Sequence, residues 1–400
     1  MRTVALIVGL LFCASTLIDA FQTIILPRRP VGRFRVTYLF YAATWRPWAA
    51  FARRASNPKV REQLYSVYGP ASLLLLLALW AFLLVLGYAC LFFALGTPFT
   101  DPLLGHSHLA HFRTDFYVSG TTLFTLGLGD VVPHALAPRA LIVAESANGL
   151  GLIALVIGYV PVLYGAFSHR EISVALLDAR AGSPPTASEL IRRHAFDGGQ
   201  ETLAELLAEW ESWCAEILES HISYPILCYY RSQHDNQSWL SGLTAILDTC
   251  ALLISVVPGT ASRQAQLTFA IGRHALVDLC HVFKLEKVEA AWRAQGGPPR
   301  LPADHFSRVC DLMLEANLRL CGDPNAPARL HALRALYEPS AQALADYLAM
   351  PLPAWYPKPN AKDQWKTVEA VRSQAVASLI DEGVLSKNAV AVRLHSDDHL

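Results

Sequence analysis

Two long stretches with almost no charge constrain this chain more than any other feature. No charged residue occurs between Gln63 and Thr100, and the core of that stretch, Ala71 to Leu95, is almost wholly apolar. Downstream, Ala140 to Phe167 carries Glu145 as its single charge. A helix needs about 20 apolar residues to cross the hydrocarbon core of a bilayer. Both stretches therefore predict membrane-spanning helices.

The segment between these spans has the composition of an ion-selectivity filter. It runs from Thr122 to Asp130 with the sequence TLFTLGLGD. A filter replaces the water around a cation with backbone carbonyl oxygens that face one axis. Gly127 and Gly129 can take positive φ at little cost, which lets successive carbonyls face one side instead of alternating as in a strand. Thr125 adds a hydroxyl oxygen at one end of this row, and the carboxylate of Asp130 closes the other.

The order T-x-x-T-x-G-x-G-D resembles the pore loop of the potassium channel superfamily, in its bacterial two-transmembrane form. The resemblance covers about Ala71 to Phe167. It implies an all-α membrane protein with a tetrameric pore domain of outer helix, pore helix, filter and inner helix. It also implies that potassium ions bind the main-chain oxygens of four residues, and that two more complete the filter. The four are Thr125, Leu126, Gly127 and Leu128, and the two are Gly129 and Asp130.

The filter departs from the commonest family sequence, T-V-G-Y-G-D, at two positions. Leu126 stands for valine and Leu128 for tyrosine. Any residue supplies a carbonyl, so the ion sites remain, but the tyrosine hydroxyl that braces the filter in the family is missing. Some tandem-pore channels also carry G-L-G in one loop. The sequence therefore predicts a cation channel and leaves open whether it selects potassium over sodium.

Residues on both sides of the filter are candidates for supporting or gating roles. In the predicted pore helix, 114–124, Tyr117 and Thr121 are candidates for bracing Asp130, and Thr122 is a further candidate for supporting the filter. Plain core packing would explain Tyr117 and Thr121 equally well. In the inner span, the family's glutamate-then-glycine pattern suggests a gating hinge at Gly149 or Gly151. The alternative for these glycines is close helix packing in lipid. Ionisable residues inside spans are functional candidates by default, and they are Asp19 and Glu145.

Charge distribution predicts the topology. Residues 1–167 hold 12 Lys and Arg against 6 Asp and Glu, and most of these basic residues follow Leu26 in one loop. Such loops stay on the cytoplasmic side. If Met1–Ala20 were a cleaved signal peptide, this loop would be exported, so we predict an uncleaved first span. The predicted domains are an N-terminal span (1–26), a basic cytoplasmic or interfacial linker (27–70), a pore domain (71–167) and a helical cytoplasmic domain (168–400). Within the pore domain, the predicted parts are the outer helix (71–95), pore helix (114–124), filter (125–130) and inner helix (140–167).

The region after residue 167 has the pattern of a soluble helical domain. Its amphipathic runs lie at 239–257, 267–283, 306–320, 328–348 and 365–379, with Gly-Pro clusters between some of them. The run 243–257 is too short and too interrupted by Asp248 to predict a further span. The whole region 168–400 carries neither the glycine loop of a nucleotide-binding domain nor an enzyme motif. The acidic balance of this region disfavours nucleic acid as a partner. We therefore predict no cofactor and no enzymatic activity, and the sequence does not indicate which regulator acts on this domain.

Together these features predict a potassium channel of the cell (inner) membrane. Its partners would be three further copies of the chain, the lipid bilayer and the conducted potassium ions. Two alternatives remain open from the residues alone. One is a weakly selective cation channel, and the other is a non-conducting membrane sensor or scaffold that keeps a channel-like anchor.

Overall fold

The computed structural model describes residues 1–26, 35–96, 99–100, 108–233, 237–296 and 300–357, which are overwhelmingly helical. Its α-helices are α1 (Arg2–Ala20), α2 (Val36–Arg53), α3 (Pro58–Ala94), α4 (His108–Leu123), α5 (Leu136–Ala181), α6 (Ala187–Arg193), α7 (Gly199–Ser223), α8 (Trp239–Ser255), α9 (Ser262–Val282), α10 (Glu286–Ala294), α11 (Ala303–Glu315), α12 (Ala326–Arg334) and α13 (Glu338–Leu348). A π-helical turn, Phe21–Ile25, prolongs α1, and a 3₁₀ turn, Pro225–Tyr229, follows α7. Two short strands, β1 (Phe99–Thr100) and β2 (Val132–Pro133), pair antiparallel.

Three of the described helices are long and apolar enough to cross a membrane: α1 with its π-helical turn, α3 and α5. The first two pack closely along each other through small residues. A Cβ on Gly9 would lie 2.8 Å from the carbonyl oxygen of Gly87, and a Cβ on Gly87 would lie 2.7 Å from Cys13 Sγ. Lipid supplies no hydrophobic drive between helices, so close backbone approach of this kind holds them together. The chain is an all-α membrane protein, as the sequence predicted.

The outer helix begins earlier than the predicted 71–95. Helix α3 starts at Pro58, where the Asn57 side chain accepts a hydrogen bond from the Lys59 amide at 2.9 Å. Asparagine is a favoured N-cap and proline a favoured first helical residue. The added turns carry Tyr65 and Tyr68, which are buried against the C-terminal domain. A prediction from the length of an apolar stretch finds only the part of such a helix that can cross the membrane.

The inner helix is also longer than the predicted 140–167. Helix α5 has 46 residues and ends where Gly182 takes a φ of +84°. At about 1.5 Å per residue it is about 69 Å long, roughly twice the thickness of a hydrocarbon core. Pro161 lies inside it without ending it. The second half of α5 therefore projects beyond the membrane and carries the C-terminal domain.

The predicted linker, 27–70, is not a separate unit. Residues 27–34 lie outside the described part, but α2 docks on the C-terminal domain. Trp45, Ala49 and Ala52 belong to the main buried cluster of that domain. The indole Nε1 of Trp45 donates to the carbonyl oxygen of Tyr347 at 2.8 Å. Trp45 is therefore a core residue of a domain formed by distant parts of the chain, and Tyr41 and Trp48 pack partly buried against the same cluster.

The C-terminal domain is built around α8. Almost every residue of α8 is buried, with α7 and α9 packed beside it and α12 and α13 also in contact. This explains how so apolar a helix can lie outside the membrane. The run predicted at 328–348 forms two helices, α12 and α13, and the run at 365–379 lies outside the described residues.

A buried ionic cluster joins α8 to the last helices of this domain. Arg300 donates to Asp248 at 2.6 Å and to Glu338 at 2.9 Å, and Arg334 also pairs with Glu338. The Tyr337 hydroxyl donates to Asp248. Burial alone would lower the pKa of Arg300, but the charges of Asp248 and Glu338 raise it above its ordinary value. Arg300 is thus held charged between two buried carboxyl groups.

We expect Arg300→Met to destabilise the C-terminal domain strongly. The substitution removes the cation and leaves two buried carboxyl groups without it, a loss that costs about 3–5 kcal/mol. The thermal unfolding midpoint of the protein in detergent, followed by tryptophan fluorescence, should fall clearly. Arg263→Met is the matched control because Arg263 is exposed on α9. Equal midpoints for the two variants would show that the cluster contributes little.

Candidate ion-conduction site

The candidate filter is attached to the C-terminal end of the pore helix. This helix, α4, begins at His108 rather than at the predicted residue 114 and ends at Leu123. The Thr121 carbonyl oxygen accepts from the Leu126 amide at 2.8 Å, and the Thr122 carbonyl oxygen accepts from the Thr125 amide at 3.0 Å. These bonds satisfy carbonyls that every helix end leaves free. They also hold the start of the filter against the negative end of the helix dipole, where a cation is favoured.

Along the filter, every second residue has a left-handed backbone. Thr125, Gly127 and Gly129 have φ of +58°, +53° and +73°. Residues of alternating handedness turn successive carbonyls toward one side, which an ordinary strand cannot do. Glycine adopts this conformation readily, whereas it strains a threonine. The backbone geometry therefore matches what a row of carbonyl ligands requires.

Of the three predicted supporting residues, Tyr117 reaches the filter. Its hydroxyl donates to Asp130 Oδ2 at 2.8 Å, across the length of the loop. The Thr121 side chain instead donates to the carbonyl oxygen of Val118 within α4, at 3.0 Å. Thr122 contributes its backbone carbonyl. Tyr117 of the pore helix thus contacts Asp130 at the outer end of the filter. Within the filter itself, Leu128 occupies the position at which the family has a tyrosine.

The filter is exposed in a single chain. Leu126 and Leu128 are 63% and 65% exposed, and Gly127, Gly129 and Asp130 line an open cavity of about 360 Å³. The inner helix is equally uncovered, because only 17% of its most apolar window is buried, against 44% for α3. In the single chain, the candidate filter and much of the apolar surface of α5 are therefore uncovered.

The two candidate hinge glycines occupy different environments. A Cβ on Gly149 would overlap the carbonyl oxygen of Leu123 at the end of the pore helix. Around Gly151, no atom of the described structure lies within 4 Å of a Cβ. Gly149 thus has a packing role whether or not it also bends, and α5 runs through both glycines as one helix. The hinge remains a prediction.

The intramembrane carboxyl groups lie away from the filter carbonyls. Glu145 is fully buried and contacts the Ser119 hydroxyl on α4, which also donates to the carbonyl oxygen of Val85 at 2.9 Å. This contact joins α3, α4 and α5. Asp19 similarly joins α1 to its neighbours, because it accepts from the Thr37 amide at 2.8 Å and from Trp80 Nε1 at 3.0 Å.

Sequence reasoning missed Arg170, which links the inner helix to the C-terminal domain. Its side chain is buried and donates to the carbonyl oxygens of Leu227 and Tyr230, both at 2.9 Å. Burial and the charge of Arg170 lower the pKa of His221, which leaves a neutral imidazole 3.2 Å from the guanidinium. A basic residue just after a span is ordinary by the positive-inside rule. No local signal distinguishes Arg170, and only its distant partners show its role.

Comparison with known proteins identifies the class of this site. Residues 75–163 match the family described as "Ion channel". The matched residues include the pore helix, the loop and most of the two flanking spans described above, so the match supports an ion-channel pore domain in this part of the chain. Over 337 residues the chain is 24% identical to "Uncharacterized membrane protein YdjJ" of Bacillus subtilis (strain 168), and the match covers 81% of this chain and 94% of the relative. A comparison with solved structures gave no match.

Proposed function

We propose that this protein is a homotetrameric channel that conducts potassium ions through residues Thr125 to Asp130. The observation that carries the proposal is the alternating left-handed backbone of the filter, anchored to the pore helix. In this assignment potassium binds the carbonyl oxygens of Thr125, Leu126, Gly127 and Leu128. The protein acts as a channel rather than an enzyme, and it uses potassium as cargo without a cofactor.

Assembly of four copies follows from the single pore loop. A closed ring of carbonyls needs four loops, and one chain supplies one. Closed cyclic symmetry is the usual way for identical chains to complete such a ring. The uncovered face of α5 and the exposed filter support this assembly, because contacts with other copies would cover both surfaces.

We place the basic segment 27–70 and residues 168–400 in the cytosol, and the protein in the cell (inner) membrane. The positive-inside rule supports this orientation, because the basic residues cluster between Leu26 and Glu62. Three spans then bring α5 out of the membrane on the same side as α2. The docking of α2 on the C-terminal domain independently supports a common side for these two segments, because both must lie in one compartment.

The C-terminal domain is positioned to act on the gate. Arg170 holds the end of α5 to the 3₁₀ turn Pro225–Tyr229, so a movement of either element is passed to the other. We propose that a hinge at Gly149 or Gly151 uses this connection. Truncation after about Ser168 should leave a tetrameric pore whose open probability differs from that of the full chain.

Ion flux into liposomes tests the proposed function. Purified protein is reconstituted and flux is measured with potassium, then with sodium, as the single permeant cation. Flux with potassium well above that with sodium supports a potassium channel. Equal fluxes would indicate a weakly selective cation channel, and no flux from intact tetramers would favour a non-conducting sensor or scaffold.

We expect Leu128→Tyr to sharpen selectivity for potassium over sodium. A phenol hydroxyl behind the filter can form one additional hydrogen bond, worth about 0.5–1.5 kcal/mol, and so raise the permeability ratio by about two- to tenfold. Reversal potentials under mixed-ion conditions measure this ratio. Leu128→Phe is the matched control because it adds the ring without the hydroxyl. Equal permeability ratios in Leu128→Tyr and Leu128→Phe would show that any change comes from packing of the ring and not from the hydroxyl.

A further inference from the structure

A cavity of about 370 Å³ lies where the spans meet the C-terminal domain. Residues from distant parts of the chain contribute to its wall. Thr23 comes from the turn after α1, Tyr41 from α2, Leu76 from α3, Tyr159 from the inner helix and Tyr347 from α13. A molecule bound here would contact the pore domain and the C-terminal domain at once.

The mouth of the cavity is basic. Arg35, Arg46, His281 and Lys284 line it, and its described lining contains no Asp or Glu. Two of these four residues have carboxylate neighbours, since Arg35 lies 3.4 Å from Asp19 and His281 lies 3.9 Å from Asp278.

Arg46 and Lys284 are the cations available to a ligand. Both are exposed, and within the described residues neither forms an ion pair. Lys284 Nζ lies 3.8 Å from the ring centroid of Tyr38, which sets the ammonium at the cavity mouth. Two cations that line one cavity without carboxylates favour an anion there.

The inner wall is apolar and borders the membrane surface. Leu76, Tyr159 and Ile226 line it. Phe21 and Ile25, in the π-helical turn that ends the first candidate span, are each 49% exposed. Because Gln22 and Thr23 of the same turn line the cavity, a membrane crossed by this span would end at about the level of the cavity. A soluble anion would use the basic mouth but leave this apolar wall unused.

We propose that this cavity binds an anionic phospholipid, with the headgroup phosphate between Arg46 and Lys284 and the upper part of an acyl chain against Leu76 and Ile226. Basic side chains and apolar surface at one interfacial site are what such a lipid requires. Because Tyr159 belongs to the inner helix, an occupied cavity biases the position of that helix relative to α2 and the C-terminal domain. Binding is independent of which ion the pore conducts.

Lipid binding by the detergent-purified full chain tests the proposal. Native mass spectrometry counts bound lipids during titration with phosphatidylglycerol, and in parallel with phosphatidylcholine. Each basic residue near an anionic lipid contributes about 1 kcal/mol, so the double variant Arg46→Gln/Lys284→Gln should bind phosphatidylglycerol about thirtyfold more weakly. Arg53→Gln/Arg54→Gln is the control, because it removes the same charge from the end of α2 without touching the cavity.

Three outcomes would overturn the proposal. The first is an equal loss of phosphatidylglycerol binding in the control variant, which would indicate a diffuse charge effect. The second is equal binding of phosphatidylcholine and phosphatidylglycerol by the unmodified protein. The third is full displacement of the lipid by an equal concentration of glycerol 3-phosphate, which would identify a soluble phosphorylated ligand. Selective loss in the cavity variant, without such displacement, supports the lipid site.

Discussion

Gly127→Ala is expected to abolish potassium flux while the protein remains folded and tetrameric. Gly127 has a φ of +53°, and left-handed backbone costs an L-residue about 1–2 kcal/mol. The strain arises in each of four chains at the same ring of carbonyls, so the ring loses the geometry that replaces water around the ion. Liposome flux measures conduction, and mass measurement in detergent measures assembly.

A neighbouring glycine provides the control for this variant. No atom of the described chain lies within 4 Å of a Cβ on either Gly127 or Gly120, so neither substitution creates a clash within the chain. Gly120 lies in the pore helix and lacks a positive φ, so Gly120→Ala should preserve flux. Normal flux through a tetrameric Gly127→Ala protein would show that this segment is not the filter, and the proposed function would fail.

Gly149→Ala should disrupt the pore domain itself. The added Cβ would overlap the Leu123 carbonyl oxygen and lie 2.9 Å from its carbonyl carbon. Backbone atoms at a helix end cannot move aside as a flexible side chain can, so α5 must separate from α4. Such overpacking costs about 1–3 kcal/mol or more. We expect a lower thermal midpoint, less tetramer and loss of flux together.

Gly151→Ala distinguishes packing from bending in the same helix. No described atom lies near a Cβ at this position, so the variant should assemble normally. Altered open probability in assembled Gly151→Ala channels would support a hinge there. If Gly149→Ala assembles as well as Gly151→Ala, the close contact with the pore helix is not what requires glycine at residue 149.

The pore region could be predicted because its constraints are local. A long stretch without charged residues predicts the membrane-spanning parts of α3 and α5, whatever these helices pack against. The filter is likewise predicted by glycines at a fixed spacing. The position of Tyr117 two helical turns before the filter was enough to suggest its contact with Asp130. The helix boundaries were less accurate, because α3 and α5 continue as helices beyond the membrane, where hydropathy no longer marks them.

The residues that connect the pore to the C-terminal domain could not be predicted in this way. Trp45 bonds to a carbonyl at Tyr347, and Arg170 bonds to carbonyls at Leu227 and Tyr230. These partners are far apart in the chain and share no spacing. The sequence therefore predicted a linker at 27–70, although one face of α2 is packed against the core of the C-terminal domain.

The sequence alone determined that this chain is a membrane protein and which short segment is the candidate filter, because the first depends on hydrophobic length and the second on backbone freedom at single residues. Only the tertiary structure decided that α2 belongs to the C-terminal domain, that Gly149 must be small, and that Arg46 and Lys284 share a cavity with Tyr159 of the inner helix. These features arise from contacts between segments distant in the chain. Such contacts depend on the shape into which all the helices pack together.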